Sequence, residues 1–147
     1  MIRSEGRLMK SLFAVTLIVV AAALSVAMVP AAAWQKTEPR VAVPKYDPAN
    51  EATFKGTIVE TKDRECPMSG GMGSHLILKL LDGKTIEVHL AATRFVKSYG
   101  LILNKGDQVD VLGTKVQFEG QDTIFAREVT RGTETFAFRE KNGTPIW

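Results

Sequence analysis

Apolar and polar residues alternate with a period of two along most of residues 53–130, a pattern typical of β-strands with one buried face. Five segments carry this alternation and are predicted strands, namely 53–61, 74–81, 84–90, 107–116 and 122–130. Between the third and fourth, apolar residues recur at helical spacing over 92–103, with Thr93 as the expected cap and Gly100 near the end. The pattern therefore predicts an all-β protein with one short helix.

The order of these elements, β-β-β-α-β-β, is that of the OB-fold, a small five-stranded barrel. The alternative is an open antiparallel sheet with one helix packed on it, but a helix between strands three and four favours the barrel. Residues 133–139 and 144–147 flank Asn142-Gly143 and predict a C-terminal hairpin. We therefore predict one OB-fold domain over residues 53–147.

The second and third predicted strands are joined by Asp82-Gly83, a dipeptide typical of tight hairpin turns. The apolar residues of both strands are even-numbered and must share the core, so even-numbered residues must face each other. A type I turn with a bulge at Gly83 gives this register, whereas a two-residue turn would break the core pattern. The register places His75 directly opposite His89, on the outer face of the barrel.

Residues 62–73 are predicted to form a glycine-rich loop before the second strand. Glycines in this loop allow it to fold back over the two histidines. Imidazole suits copper or zinc, while thioether and thiolate donors select copper(I). The predicted metal ligands are His75, His89, Met72, Met68 and Cys66.

The alternative to a metal site is a solvated histidine pair on the barrel wall beside an ordinary loop. Glu87 lies on the histidine face and is interpreted as an exposed strand carboxylate, with a role as partner or third ligand as the alternative. Cys66 is the only cysteine, so an internal disulfide is excluded, and no Cys-x-x-Cys-His motif for covalent haem is present. No nucleophile, base and acid can be arranged from the two histidines, and we predict that the protein is not an enzyme.

The N-terminal 33 residues have the pattern of a signal peptide, with a positively charged start and an apolar run over 12–29. Ala31-Ala32-Ala33 follows Pro30 and predicts cleavage after Ala33. The alternative is an uncleaved membrane anchor, since about 18 apolar residues can just span a bilayer. We expect a periplasmic or secreted protein that contacts the membrane only if this segment is retained.

Charge changes little in this picture once the segment is removed. The chain of 147 residues has 19 basic and 16 acidic residues, a net charge of +3. Residues 1–33 hold three basic residues and one acidic residue, so the predicted mature chain has a net charge of only +1. Residues 34–52 contain three prolines and are predicted to be an extended linker. The basic footprint of a nucleic-acid-binding protein is missing, and strands two and three lack stacking aromatic residues.

Several motifs over residues 46–147 resemble small exported bacterial OB-fold proteins, some of which are labelled nucleic-acid-binding on fold grounds. The motifs are Gly71-Met72-Gly73-Ser74-His75-Leu76, Val88-His89-Leu90, Lys105-Gly106-Asp107-Gln108-Val109, Ala126-Arg127-Glu128-Val129 and Gly143-Thr144-Pro145-Ile146-Trp147. The resemblance implies export, a single domain and the OB-fold. It includes both histidines but not Cys66, and Ala91-Ala92 stands where these proteins have Gly-Pro.

These observations together predict an exported periplasmic OB-fold binding module that holds copper or zinc through a cross-strand histidine pair. Its expected partners are a small ligand, a metal ion or a periplasmic protein. One alternative is a protein-interaction module without metal. A second alternative is a nucleic-acid-binding OB-fold protein, which the charge and the absent aromatic residues disfavour.

Overall fold

A computed structural model describes residues 42–147 of the protein. Its elements are β1 (Glu51–Cys66), β2 (Gly71–Leu80), β3 (Thr85–Ala92), α1 (Thr93–Ser98), β4 (Gln108–Phe118), β5 (Gln121–Arg131) and β6 (Glu134–Ala137). This confirms the predicted all-β class with one short helix between the third and fourth strands. The predicted signal peptide lies outside the described residues, and within them no helix has the length and apolar character needed to cross a bilayer.

Five strands form a closed ring. Strands β1, β2 and β3 pair as an antiparallel meander, β1 also pairs with β4, and β4 pairs with β5. A short parallel pairing of β3 with β5 closes the ring, with Val88 opposite Ile124. The predicted barrel is therefore confirmed over the open sheet, because closure leaves β3 without a free edge.

Strand β1 is long enough to serve two neighbours because it bends at Gly56. Residues 51–57 pair with β4 and residues 56–66 pair with β2, so Gly56 faces both Leu80 and Val109. A Cβ at this position would collide with the main-chain carbonyl of Lys79. The two strands therefore approach closely at this position, and only a residue without a side chain fits it.

The barrel interior is filled by alternate residues of each strand. The predicted even-numbered core of β2 and β3 is confirmed, with Leu76, Leu78 and Val88 almost fully buried. A second, smaller apolar cluster lies apart from this core and consists of Cys66, Phe118 and Phe125, with Tyr46, Met68 and Val116 packed against it. The two clusters explain why β2 and β3 are buried on both faces near the histidines, since Gly73 to Leu76 are all buried.

The hairpin between β2 and β3 has the predicted register. Leu76 faces Val88, Leu78 faces Ile86, and the Leu80 amide donates to the Lys84 carbonyl over 2.8 Å. Gly83 has the positive φ of 85° that the bulged turn requires. The hydrophobic pattern alone therefore determined which residues pair.

The predicted loop over 62–73 is mostly wrong. β1 continues to Cys66 and β2 begins at Gly71, so only a 3₁₀ turn over Pro67–Ser69 and Gly70 separate them. Polar residues conceal the extension of β1, because its alternation there is between exposed and half-buried positions. The chain reverses at Gly70, whose φ of 62° is left-handed.

The helix and the C-terminus also differ from the predicted bounds. α1 ends at Ser98 rather than near 103, and Ala92 occupies the cap position where Thr93 was expected. β6 pairs with β5 as an added strand. The predicted C-terminal hairpin is reduced to a turn over 140–144 and one bridge between Arg139 and Pro145.

Candidate metal centre

The two histidines meet across the β2–β3 hairpin. His75 on β2 is the direct partner of His89 on β3, as the predicted register requires. Their ring centroids are 4.9 Å apart and their planes are 83° apart, so one ring meets the other edge-on. A shift in the pairing between Ser74 and His75 marks a β-bulge beside the pair. Bulges re-aim side chains at sites of this kind.

Both imidazoles are buried, so the expectation of a pair on an exposed outer face is wrong. His75 is 1% exposed and His89 is 0% exposed. The Pro67–Ser69 turn lies against them, and the Ser69 hydroxyl oxygen is 2.8 Å from His89 Nε2. The rings of Phe125 and Trp147 are each centred 5.8 Å from that of His89. The outer face of the barrel is therefore covered at the two histidines and is not in contact with solvent there.

Cys66 ends β1 beside this pair and is a free, buried thiol. Its sulfur and one ring nitrogen from each of His75 and His89 all lie within 4.8 Å of one another. Ligand atoms around one zinc or copper ion are about 3–4 Å apart, given metal–nitrogen distances near 2.0 Å and metal–sulfur distances near 2.3 Å. A contraction of about an ångström would therefore let all three bind one ion.

Two ring nitrogens of the pair have no hydrogen-bond partner among the described residues. These are His75 Nε2 and His89 Nδ1, whereas His75 Nδ1 has Glu87 Oε1 2.7 Å away. Buried polar atoms are almost always hydrogen-bonded, because leaving one unpaired costs about 1–3 kcal/mol. Unpaired nitrogen atoms beside a buried thiol are therefore the arrangement that a bound ion would complete.

Burial also keeps both rings in the neutral form that binds metals. It lowers the pKa of His75 from 6.5 to about 4, with the Arg64 guanidinium acting in the same direction and Glu87 opposing it. It lowers the pKa of His89 from 6.5 to about 3, assisted by His75 and by the Arg139 guanidinium. At neutral pH each ring therefore offers an unprotonated nitrogen without first losing a proton.

Gly73 provides the space in which these groups converge. A Cβ at this position would lie 2.5 Å from the Ser69 hydroxyl oxygen, 3.0 Å from Cys66 Cβ and 3.1 Å from His75 Nε2. The φ of Gly73 is not left-handed, so glycine is needed here for room and not for backbone freedom. Two of the three candidate ligands, Cys66 and His75, therefore border the space beside the Gly73 Cα.

Glu87 holds the other side of His75, and its interpretation as an exposed carboxylate is wrong. It is 7% exposed, and its Oε1 lies 2.7 Å from His75 Nδ1, close but poorly aligned for a hydrogen bond. Arg64 Nε donates to the same carboxylate over 3.0 Å and Gln121 Nε2 over 2.7 Å, with Lys62 Nζ at 3.5 Å. The pKa of Glu87 is lowered by these cations despite the opposing, larger effect of burial.

We predict that Glu87→Gln lowers the free energy of unfolding by about 3 kcal/mol, because it leaves Arg64 and Lys62 beside a group without charge. Urea denaturation at pH 7 measures this difference. The matched control is Glu119→Gln. Glu119 is more exposed than Glu87, and its Oε2 pairs with Arg64 Nη2 over 2.8 Å. That control should lower the free energy of unfolding by less than about 1 kcal/mol. Equal losses in both variants would contradict the assignment of Glu87 as the buried carboxylate that pairs with Arg64 and Lys62.

The two predicted methionine ligands occupy different places. Met68 lies in the Pro67–Ser69 turn and packs against the cluster of Cys66, Phe118 and Phe125. Met72 is 46% exposed on β2, opposite Glu65. The structure thus groups Cys66, His75 and His89, keeps Met68 beside the apolar cluster, and leaves Met72 at the surface.

Sequence reasoning missed the group that seals the centre from the C-terminal side. Arg139 is 4% exposed, and its guanidinium carbon lies 4.7 Å from the centre of the Trp147 ring and 5.2 Å from that of Tyr46. Its Nη1 donates to the Gly143 carbonyl, whereas its Nε and Nη2 have no partner among residues 42–147. No local signal in the sequence identifies this arrangement, because it joins the two ends of the described chain.

The family model described as the MamS/MamX magnetosome protein family matches residues 50–136. The match spans strands β1 to β5 and most of β6, and it includes Cys66, Gly73, His75, Glu87 and His89. It ends before Arg139 and Trp147. No curated protein matches the chain.

Proposed function

The chain belongs to the MamS/MamX magnetosome protein family, and on that premise we propose that it is a magnetosome-associated binding module. Its Cys66, His75 and His89 hold a transition-metal ion, copper or zinc. The N-terminal segment directs the chain out of the cytoplasm, and the protein is a binding module and not an enzyme. This proposal keeps the predicted histidine pair and makes Cys66 its third ligand.

One observation carries the proposal. A buried thiol and two buried neutral imidazoles approach within 4.8 Å of one another around the space left by Gly73, and His75 Nε2 and His89 Nδ1 have no partner among the described residues. These unpaired buried nitrogen atoms cost stability in a protein that binds nothing there. A thiolate and two imidazoles are the donors that copper and zinc prefer, and the absence of carboxylate from the set disfavours calcium and magnesium.

Glu87 has the role of an outer-shell partner in this proposal. Histidine ligands commonly donate their second ring N–H to a carboxylate, which orients the ring and directs the other nitrogen to the metal. Glu87 Oε1 is 2.7 Å from His75 Nδ1, which leaves Nε2 as the nitrogen beside Gly73. The proposed site is therefore enclosed, whereas the sequence placed the histidine pair on the outer face of the barrel.

The test is metal binding by the full chain, purified without a tag and stripped with a chelator. We expect one ion of copper(I) or zinc per chain, with affinity lowered more than about 100-fold in the His75→Ala, His89→Ala double variant, since even outer-shell changes cost 10–100-fold. The control is Val129→Ala, which opens a cavity in the main barrel core and keeps all three donors. Equal affinity in the wild type and the histidine variant, measured by calorimetry, would refute the metal site.

Protein interaction without metal is the second candidate function. Tyr99 is 48% exposed and Ile102 is 67% exposed at the end of α1 and in the segment after it. Ile102 lines a groove of about 290 Å³ that also reaches Ser74 and His75, and Tyr99 lies three residues before it in the chain. A partner that binds this surface should be retained in the presence of chelator and lost in a Tyr99→Ser, Ile102→Ser variant, with metal content unchanged.

A further inference from the structure

We propose that the centre selects monovalent copper(I) over divalent zinc. This inference rests on the proposed metal site and specifies its ion. Three features of the described structure carry it, namely the number of ionisable donors, the charge around them and the thioether packed beside Cys66.

The centre offers three ionisable donors. Zinc in proteins takes four ligands, or three ligands and a water molecule. Within residues 42–147, the group of ionisable donors consists of Cys66, His75 and His89, and all three are at most 2% exposed. The Ser69 hydroxyl is a neutral group already engaged with His89. Copper(I) is a soft ion that is satisfied by two or three thiolate and imidazole ligands.

The charge of the centre also favours a monovalent ion. One thiolate and two neutral imidazoles carry a charge of −1, so copper(I) makes the centre neutral and zinc makes it +1. A net charge in a buried, water-poor site is costly unless it is paired. The centre therefore has no net charge with copper(I), whereas with zinc it keeps an uncompensated positive charge.

The surroundings of the centre are already positive. The Arg139 guanidinium stacks on Trp147, whose ring is 5.8 Å from that of His89, and no carboxylate of the described chain pairs with it. On the other side, Glu87 lies beside His75 and is paired with Arg64 and Lys62, and Arg64 is also paired with Glu119, so this side supplies no spare negative charge. A divalent ion would add a second unpaired positive charge to a centre that already lies beside Arg139.

A soft thioether lies beside the apolar cluster that contains Cys66. Met68 packs against the cluster that contains Cys66, two residues along the chain. A thioether binds copper(I) and is a poor zinc ligand. Its approach would strengthen the copper(I) complex and would do little for zinc.

Binding requires no change of oxidation state. Copper(I), supplied as the monovalent ion, forms bonds to Cys66 Sγ and to one nitrogen of each histidine. The Cys66 thiol proton is released to the buffer, so one positive charge enters the site and one leaves it. The expected stoichiometry is one proton released per copper(I) bound at a pH below the pKa of a free thiol.

The experiment is a competition on the full chain, kept anaerobic with ascorbate, between copper(I) buffered by bicinchoninate and zinc at tenfold excess. We expect one copper(I) per chain to be retained and zinc to remain in solution, as measured by elemental analysis after desalting. Retention of zinc in place of copper(I) would overturn this inference while leaving the metal site intact. Binding of neither ion would refute the proposed function itself.

Two variants test the physical reasons separately. Arg139→Gln should lower the ratio of copper(I) affinity to zinc affinity at least about tenfold, because it removes an unpaired buried charge. Its control is Arg131→Gln, since Arg131 is a partly exposed arginine paired with Asp107 and Glu134. Met68→Leu retains the volume of the side chain and should weaken copper(I) while leaving zinc unchanged. An unaltered affinity ratio in both Arg139→Gln and Met68→Leu would overturn the argument, and the second variant remains informative if the first does not fold.

Discussion

The metal-free protein is expected to lose about 4 kcal/mol of unfolding free energy between about pH 8 and about pH 5, because two buried histidines must stay neutral in the fold. Their pKa values in the folded protein are about 4 for His75 and about 3 for His89, whereas the ordinary value is 6.5. Below pH 6.5 the unfolded chain therefore binds two protons that the folded chain does not. Stability is complete above that pH and falls by roughly 1.4 kcal/mol per pH unit for each ring.

The charged groups that face the two rings do not change the sign of this effect. Arg64, Lys62 and Arg139 are cations that further disfavour a protonated ring, and Glu87 opposes them. The pKa of Glu87 is itself lowered by its cationic partners, so its protonation also destabilises the fold, at a still lower pH. Acid destabilisation above about pH 5 therefore reports mainly on the histidines.

Urea denaturation at a series of pH values measures the slope of stability against pH. The control is a His75→Gln, His89→Gln variant, which carries no group that titrates near pH 6. Its starting stability will differ, but its slope between pH 8 and pH 5 should be close to flat. A steep slope that survives in this variant would show that the loss arises elsewhere.

The second large effect is expected for Gly73→Ala, which places a methyl group in the space between the proposed metal ligands. That methyl carbon would lie 2.5 Å from the Ser69 hydroxyl oxygen and 3.1 Å from His75 Nε2. Overpacking of this kind costs about 1–3 kcal/mol, and the turn must move away to relieve it. We expect bound metal to fall from one ion per chain to less than about a tenth, since donors displaced by an ångström no longer bind one ion.

Gly56→Ala is the matched control for this change. Its methyl group would collide with the backbone carbonyl of Lys79, in a part of the barrel remote from the metal ligands. We expect it to destabilise the fold at least as much as Gly73→Ala and yet to retain one metal ion per chain. Metal loss that parallels destabilisation in both variants would show that Gly73 serves the fold and not the site.

The family match sets the biological context of these measurements. It covers the strands that hold Cys66, His75 and His89, but not the C-terminal segment that seals them. The proposed ligands and the C-terminal residues that cover them can therefore be varied separately. Variants of the ligands should abolish binding, whereas variants of Arg139 should change which ion is preferred.

The residues of the β2–β3 hairpin illustrate how far local pattern can be followed. The even-numbered apolar positions and the Asp82-Gly83 turn permit only one register that buries both strands, and that register brings His75 opposite His89. The conclusion holds because side chains alternate strictly across a strand and because a one-residue slip would expose the whole core. The barrel order followed from the position of the helix in the same way.

The burial of this pair could not be predicted by the same reasoning. An alternating strand indicates one buried face, and the histidines lie on the other one. They are covered because β1 extends to Cys66, the Pro67–Ser69 turn folds back over them, and Trp147 and Arg139 arrive from the far end of the chain. Glu87 appeared exposed for the same reason, since its partner Gln121 belongs to a strand 34 residues away.

The sequence by itself thus determined the strands, their order and the pairing of the two histidines, because these depend on side-chain alternation and on turns between neighbouring segments. Only the tertiary structure decided that the pair is buried, that Cys66 joins it more closely than Met72, and that Glu87 and Arg139 lie near it. These features depend on contacts between segments far apart in the chain. Such contacts are set by how the whole barrel closes and not by the residues on either side of each ligand.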